Sequence, residues 1–175
     1  IVNSKMDSEG ISWDLIQSEM LKADADTKTS LLSDEKDKKE SLEEVLPIAK
    51  KYGAAVVALT LDESGIPDRA EDRVKIAEKI MNKASQYGIP KEDILVDCLV
   101  LTASTNQKTV METLRALSLV KSKLGLKTVL GVSNVSFGLP MRETINATFL
   151  AAAFGAGLNM PILNPLSEKY MVLVN

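Results

Sequence analysis

Lys123-Leu124-Gly125-Leu126-Lys127-Thr128-Val129-Leu130-Gly131-Val132-Ser133-Asn134 carries three signals in succession. A glycine follows a basic, apolar helix-like end, a short apolar run comes next, and the run stops on two polar residues. The glycine has the place of a helix C-cap. The apolar run from Thr128 to Val132 suits a strand buried on both faces, as in a parallel sheet. The same punctuation recurs outward along the chain. Lys51-Tyr52-Gly53 precedes the run Ala54 to Leu61, Gln86-Tyr87-Gly88 precedes Ile94 to Leu101, and Gly155-Ala156-Gly157 precedes Leu158 to Leu163. Between the runs, Val74, Ala77, Ile80, Ala84 and Tyr87 fall at helical steps, as do Val110, Leu114, Leu117, Val120 and Leu124. A unit of helix, cap and strand with a period of roughly 30–40 residues is what parallel βαβ connections require.

Two α/β architectures fit that order. A doubly wound dinucleotide fold calls for G-x-G-x-x-G at a strand-to-helix junction, and none occurs, which favours a (β/α)8 barrel. With Ile1-Val2-Asn3 as one strand end, the chain holds about five of eight units, and the other three are expected upstream of Ile1. Lys5 to Leu32 breaks the rhythm where such loops take about 2–6 residues. It carries Trp13, Ile16 and Met20 on one face of a short helix. It reads as a peripheral insertion or as a lid over the site. The expectation is thus one incomplete barrel domain over residues 1–175, with 5–32 an insertion.

The 175 residues are 45% hydrophobic and 26% charged, enough for one domain with a true core. The net charge of −3, with no long block of one sign, speaks against nucleic acid as a partner. There is no histidine, which excludes a Ser-His-Asp triad, a histidine general base and every histidine-containing metal site. A lone cysteine, Cys98, fits a reducing compartment, and no run approaches the ~20 apolar residues of a membrane span, so the expected location is cytoplasmic.

In a barrel the C-terminal strand ends form the active face, so polar residues that end apolar runs are the candidates. Asn3, Asp62, Glu63, Asp97, Ser133, Asn134 and Asn164 qualify. Asp97 lies between Ile94-Leu95-Val96 and Cys98-Leu99-Val100-Leu101. It is either a carboxylate satisfied within the protein or an acceptor pair for a ligand's N–H groups. Asn134 either caps the following helix or offers an uncharged donor and acceptor. Asp62-Glu63 before Ser64-Gly65 has the form of a polar turn, and Cys98 that of an inert core thiol.

Ile1-Val2-Asn3-Ser4, Ala58-Leu59-Thr60-Leu61-Asp62-Glu63 with Gly65-Ile66-Pro67, Asp97-x-Leu99-Val100-Leu101, and above all Gly131-Val132-Ser133-Asn134-Val135-Ser136-Phe137-Gly138-Leu139-Pro140 with Arg142 resemble the pterin-binding methyltransferases. That family includes the folate-binding module of cobalamin-dependent methionine synthase. The resemblance covers the first four residues and about Ser33 to the end. It implies a dihydropteroate-synthase-like barrel represented by strands four to eight. It also implies transfer of the N5-methyl group of methyltetrahydrofolate to the Co(I) of a corrinoid carried by a partner domain or protein. Asn134 is then the catalytic residue aimed at N5, with Ser133 supporting it. Asp97 and Asn3 bind the pterin, Phe137 and Arg142 belong to the same substrate-binding run, and no metal ligands are implied. A non-catalytic pterin-binding or assembly fragment is the alternative. Dihydropteroate synthase is a further one, although its Ser-Arg-Lys type signature is replaced here by Ser133-Asn134-Val135. An incomplete barrel leaves two strand edges, so a homo-oligomer is expected.

Overall fold

Four short strands, each preceded by a helix, line up in chain order in a computed structural model that describes residues 37–174, with side chains from residue 42 onward. Asn3 and the Lys5 to Leu32 segment lie outside the described residues. The elements are α1 (Asp37–Tyr52), β1 (Val56–Leu59), α2 (Ala70–Gln86), β2 (Ile94–Asp97), α3 (Gln107–Leu119), β3 (Lys127–Gly131), α4 (Arg142–Gly155), β4 (Met160–Ile162) and α5 (Glu168–Val174). All three strand pairings are parallel, with Leu59 opposite Asp97, Asp97 opposite Val129, and Gly131 opposite Ile162. The order β1-β2-β3-β4 contains no reversal.

The helices form where the sequence repeats apolar residues at steps of three and four. On α2 the buried stripe runs Ala70, Arg73, Val74, Ala77, Ile80, Met81 and Ala84. The first turn of α2 carries Glu71 and Asp72, which suit the positive end of the helix dipole. Its N-cap, Arg69, supplies no side-chain bond; the Ala70 N–H is instead accepted by Glu112 Oε2 of α3 at 2.8 Å. Asn106 caps α3 by accepting the Lys108 N–H at 3.0 Å. The helical pattern read from Val110 to Leu124 ends in a π-type turn, Val120–Leu124, closed by Gly125 at φ +66°, where a side chain would be strained.

Ile94, Val96, Leu117, Leu130, Val132 and Leu150 are among the fully buried side chains of the core that joins the sheet to its helices. Two expectations need correction. Burial on both faces holds for β3, where Thr128, Val129 and Leu130 are all buried, but not for β1, where Ala58 is buried while Val57 and Leu59 are 51% and 44% exposed. In β2 Leu95 and Asp97 are only half-buried. Burial on this side is incomplete because the helices pack on the other face. The strands are also shorter than the apolar runs. Ile94 to Leu101 yields a strand only as far as Asp97, because Leu99 adopts φ +54° and its N–H turns back to Asp97 Oδ1 at 2.8 Å. Cys98 and Val100 remain buried in this irregular stretch, so apolar character there marked burial and not strand.

Candidate active site

Asp97 is the last residue of β2, and its carbonyl is held by two bonds from one residue. The Thr60 N–H and Thr60 hydroxyl both donate to the Asp97 carbonyl at 3.1 Å, just past the end of the neighbouring β1. One carboxylate oxygen closes the turn to Leu99; the other has no hydrogen-bond partner among the described residues. Burial pushes the Asp97 carboxyl above its ordinary value, and the Leu99 N–H opposes that rise. The internally satisfied carboxylate considered from sequence is therefore only half realised.

The adjacent strand ends two residues before Ser133. From Val132 to Ser136 the chain makes a 3-10 turn that exposes Ser133 and Asn134 while burying Val132, Val135 and Ser136. Asn134 does not cap α4, whose N-cap is Met141 at φ +53° with no side-chain bond. Its side chain makes no hydrogen bond among the described residues. The amide lies back over the strand end, where a Cβ on Gly131 would come within 3.1 Å of Asn134 Nδ2. Glycine at 131 thus leaves room for that position.

Arg142, in the first turn of α4, ties the turn down: Nε donates to Ser136 Oγ and Nη2 to the Ser133 carbonyl, each at 3.1 Å. Its guanidinium stands 5.9 Å from the centroid of the Phe137 ring, which is 69% exposed. The loops after β2 and β3 are joined as well, by Ala103 N–H to the Val135 carbonyl at 2.9 Å and Thr102 Oγ1–H to the Phe137 carbonyl at 2.7 Å. The C-terminal ends of two neighbouring parallel strands therefore hold Asp97, Ser133, Asn134, Phe137 and Arg142 in one cross-braced pair of loops.

The other polar candidates serve turns. Asp62 and Gly65 exchange backbone bonds of 3.0 Å, and Asp62 Oδ1 accepts the Ser64 N–H; Asn164 Oδ1 likewise accepts the Leu166 N–H at 3.0 Å. Cys98 is fully buried and its thiol is pushed up to about 12 by burial and by the neighbouring Asp97 charge, as an inert core thiol should be. Among the described residues no cluster of acidic and cysteine side chains could hold a metal ion, and no helix is long and apolar enough to cross a membrane.

Sequence reading passed over Arg73. It is fully buried on α2, with Nε on the Pro67 carbonyl at 2.7 Å and Nη1 on the Cys98 and Leu99 carbonyls at 3.0 Å and on Thr113 Oγ1 at 2.8 Å. A signal existed: an arginine falls on the apolar stripe between Ala70 and Ala77, where a cation has no business unless partners await it.

Compared with known proteins, residues 2–164 match the family described as pterin binding enzyme. Methionine synthase of Mycobacterium leprae (strain TN) is 39% identical over 127 residues, which is 68% of this chain and 10% of that protein. The methionine synthase of Mycobacterium tuberculosis (strain ATCC 25618 / H37Rv) is 37% identical over 127 residues, 68% of this chain and 11% of the relative. Methylcorrinoid:tetrahydrofolate methyltransferase of Eubacterium limosum is 26% identical over 117 residues, 66% of this chain and 43% of the relative. The chain spans about a tenth of the length of the two methionine synthases it matches.

Proposed function

The chain belongs to the pterin-binding enzyme family, and from that membership we propose that it is the folate-binding part of a corrinoid-dependent methyltransferase, working in the cytoplasm. Its substrate is methyltetrahydrofolate, and the acceptor is the Co(I) of a corrinoid brought by a partner domain or protein. The sequential parallel strands support an arc of a (β/α)8 barrel, strands four to eight, with the site at their C-terminal ends.

One observation carries the reading. Neighbouring strand ends present a half-buried carboxylate with an uncommitted oxygen and an exposed asparagine amide with no partner among the described residues. A pterin edge offers a ring N–H beside an amino group. Asp97 accepts both, since the oxygen bonded to Leu99 keeps a second lone pair. Binding two N–H donors also favours the ionised carboxylate against the burial that raises its pKa. Phe137 supplies an exposed ring for the ligand to lie against. Arg142 holds the turn and borders the substrate. Asn3 is the remaining pterin contact in this reading.

In the reaction the N5–methyl bond breaks, the carbon passes to cobalt, and N5 keeps the electron pair and gains a proton. A tertiary amine leaves poorly until N5 carries positive character. Asn134 can accept from protonated N5 or, with its amide rotated, donate to the lone pair of neutral N5, and Ser133 with water supports it. The Co(I) centre supplies the nucleophile.

Calorimetry with methyltetrahydrofolate beside methyl transfer to free cob(I)alamin tests the proposal. Binding with transfer is expected. Binding without transfer supports the non-catalytic fragment, condensation with p-aminobenzoate supports a dihydropteroate synthase, and no binding contradicts the reading.

A further inference from the structure

One peptide group joins Arg73 to Asp97. The Cys98–Leu99 peptide gives its N–H to Asp97 Oδ1 at 2.8 Å and its carbonyl to Arg73 Nη1 at 3.0 Å. The N–H and C=O of a planar peptide point opposite ways, so carboxylate and guanidinium pull on the two ends of one dipole, and each bond strengthens the other. We propose that Arg73 is a positioning residue for Asp97, holding the Cys98–Leu99 peptide in the orientation that aims the carboxylate at the pterin. The inference rests on the folate reading of Asp97.

A buried cation is costly unless its surroundings repay the lost water. Every hydrogen-bond partner of Arg73 is a neutral oxygen, and two of them are the consecutive carbonyls of Cys98 and Leu99 on the same Nη1. That clamp sits on a residue forced to φ +54°, a region a leucine rarely enters. Without the guanidinium, the peptides on both sides of Leu99 lose the donor that keeps them turned inward, and Asp97 loses the N–H that fixes its carboxylate. Lysine cannot replace it, because one ammonium cannot reach the Pro67 carbonyl and the 98–99 carbonyls in the geometry of the fork. Thr113 completes the clamp: its hydroxyl accepts from Arg73 Nη1 and stands 3.1 Å from the Leu99 carbonyl.

The test is a double-mutant cycle in the full chain, read by titration with methyltetrahydrofolate. Arg73→Lys and Thr113→Val are each crossed with Asp97→Asn. Each is expected to weaken binding roughly 5–50-fold on its own. In the Asp97→Asn background the further loss should be less than about 2-fold, because the residue acted through has been removed. In the ligand-free variants the Leu99 amide should exchange faster with solvent. Equal losses in both backgrounds, or a lowered melting temperature with unchanged affinity, would overturn the positioning role. If Arg73→Lys does not fold, Thr113→Val carries the same cycle with the cation in place. Weakened binding in Asp97→Asn but not in either partner variant rejects this inference alone. Unchanged binding in Asp97→Asn, or none in the unaltered chain, rejects the folate reading and this inference with it.

Discussion

Asp97 closes a turn with one oxygen while the other has no hydrogen-bond partner among the described residues, and burial raises its pKa. A carboxyl whose pKa is higher folded than unfolded favours the folded state only while protonated. Its cost grows as pH rises from the ordinary value of 3.8 through the raised one and persists above it. Asp97→Asn should therefore melt higher than the parent at pH 7 and lose that advantage near pH 3, while binding methyltetrahydrofolate about 5–150-fold more weakly. Thermal melts across that range and calorimetry check both halves; a variant less stable at pH 7 with intact binding contradicts them. Asn134 differs in emphasis. A donor that matters as charge develops on N5 stabilises the transition state most, so Asn134→Ala should lower kcat by about 10²–10³ and affinity less. Gly131→Ala should act in the same direction and more mildly, since its Cβ would lie 3.1 Å from the Asn134 amide while φ of −75° suits alanine. Single-turnover methyl transfer compares the two, and loss confined to binding would make Asn134 a pterin contact only.

At the scale of elements, α2 begins on a cap lent by α3. Glu112 takes the Ala70 N–H at 2.8 Å, and that bond, followed by Arg115, holds its carboxyl below the usual 4.5. A depressed carboxyl contributes stability above its unfolded pKa and loses it as pH falls through the folded value. Glu112→Ala should cost about 1 kcal/mol near neutrality, with the difference from the parent vanishing in acid; urea melts at two pH values show whether it does. Helices α1 to α4 and the order of strands were legible because apolar period and glycine caps such as Gly88 and Gly125 are local signals. Strand ends were not. Cys98 and Val100 continue the apolar run of β2, but the turn is made by Asp97, Leu99 and a guanidinium on a distant helix. The candidate site was visible as polar residues ending apolar runs, and Asp62 was legible as a turn from the Ser64-Gly65 that follows it; that Asn164 closes a turn while Asn134 stays uncommitted depends on backbone geometry that residue type does not encode.

For the molecule as a whole, β1 and β4 are the outer strands among those described, and each leaves apolar side chains open: Val57 at 51%, Leu59 at 44% and Ile162 at 61% exposure. Open edges with exposed apolar residues favour association. Sedimentation at several concentrations should show the chain as a homo-oligomer whose mass falls when Val57→Lys is introduced; a monomer at every concentration would show that these strands need no partner. The central claim concerns what lies over the ends of β2 and β3. Nuclear magnetic resonance of the isotopically labelled chain, titrated with methyltetrahydrofolate, reads that region directly. The account predicts that the Leu99 backbone amide and the Asn134 side-chain amide shift together and saturate at one ligand concentration. Saturating shifts confined to other surfaces, or none at either group, would contradict it.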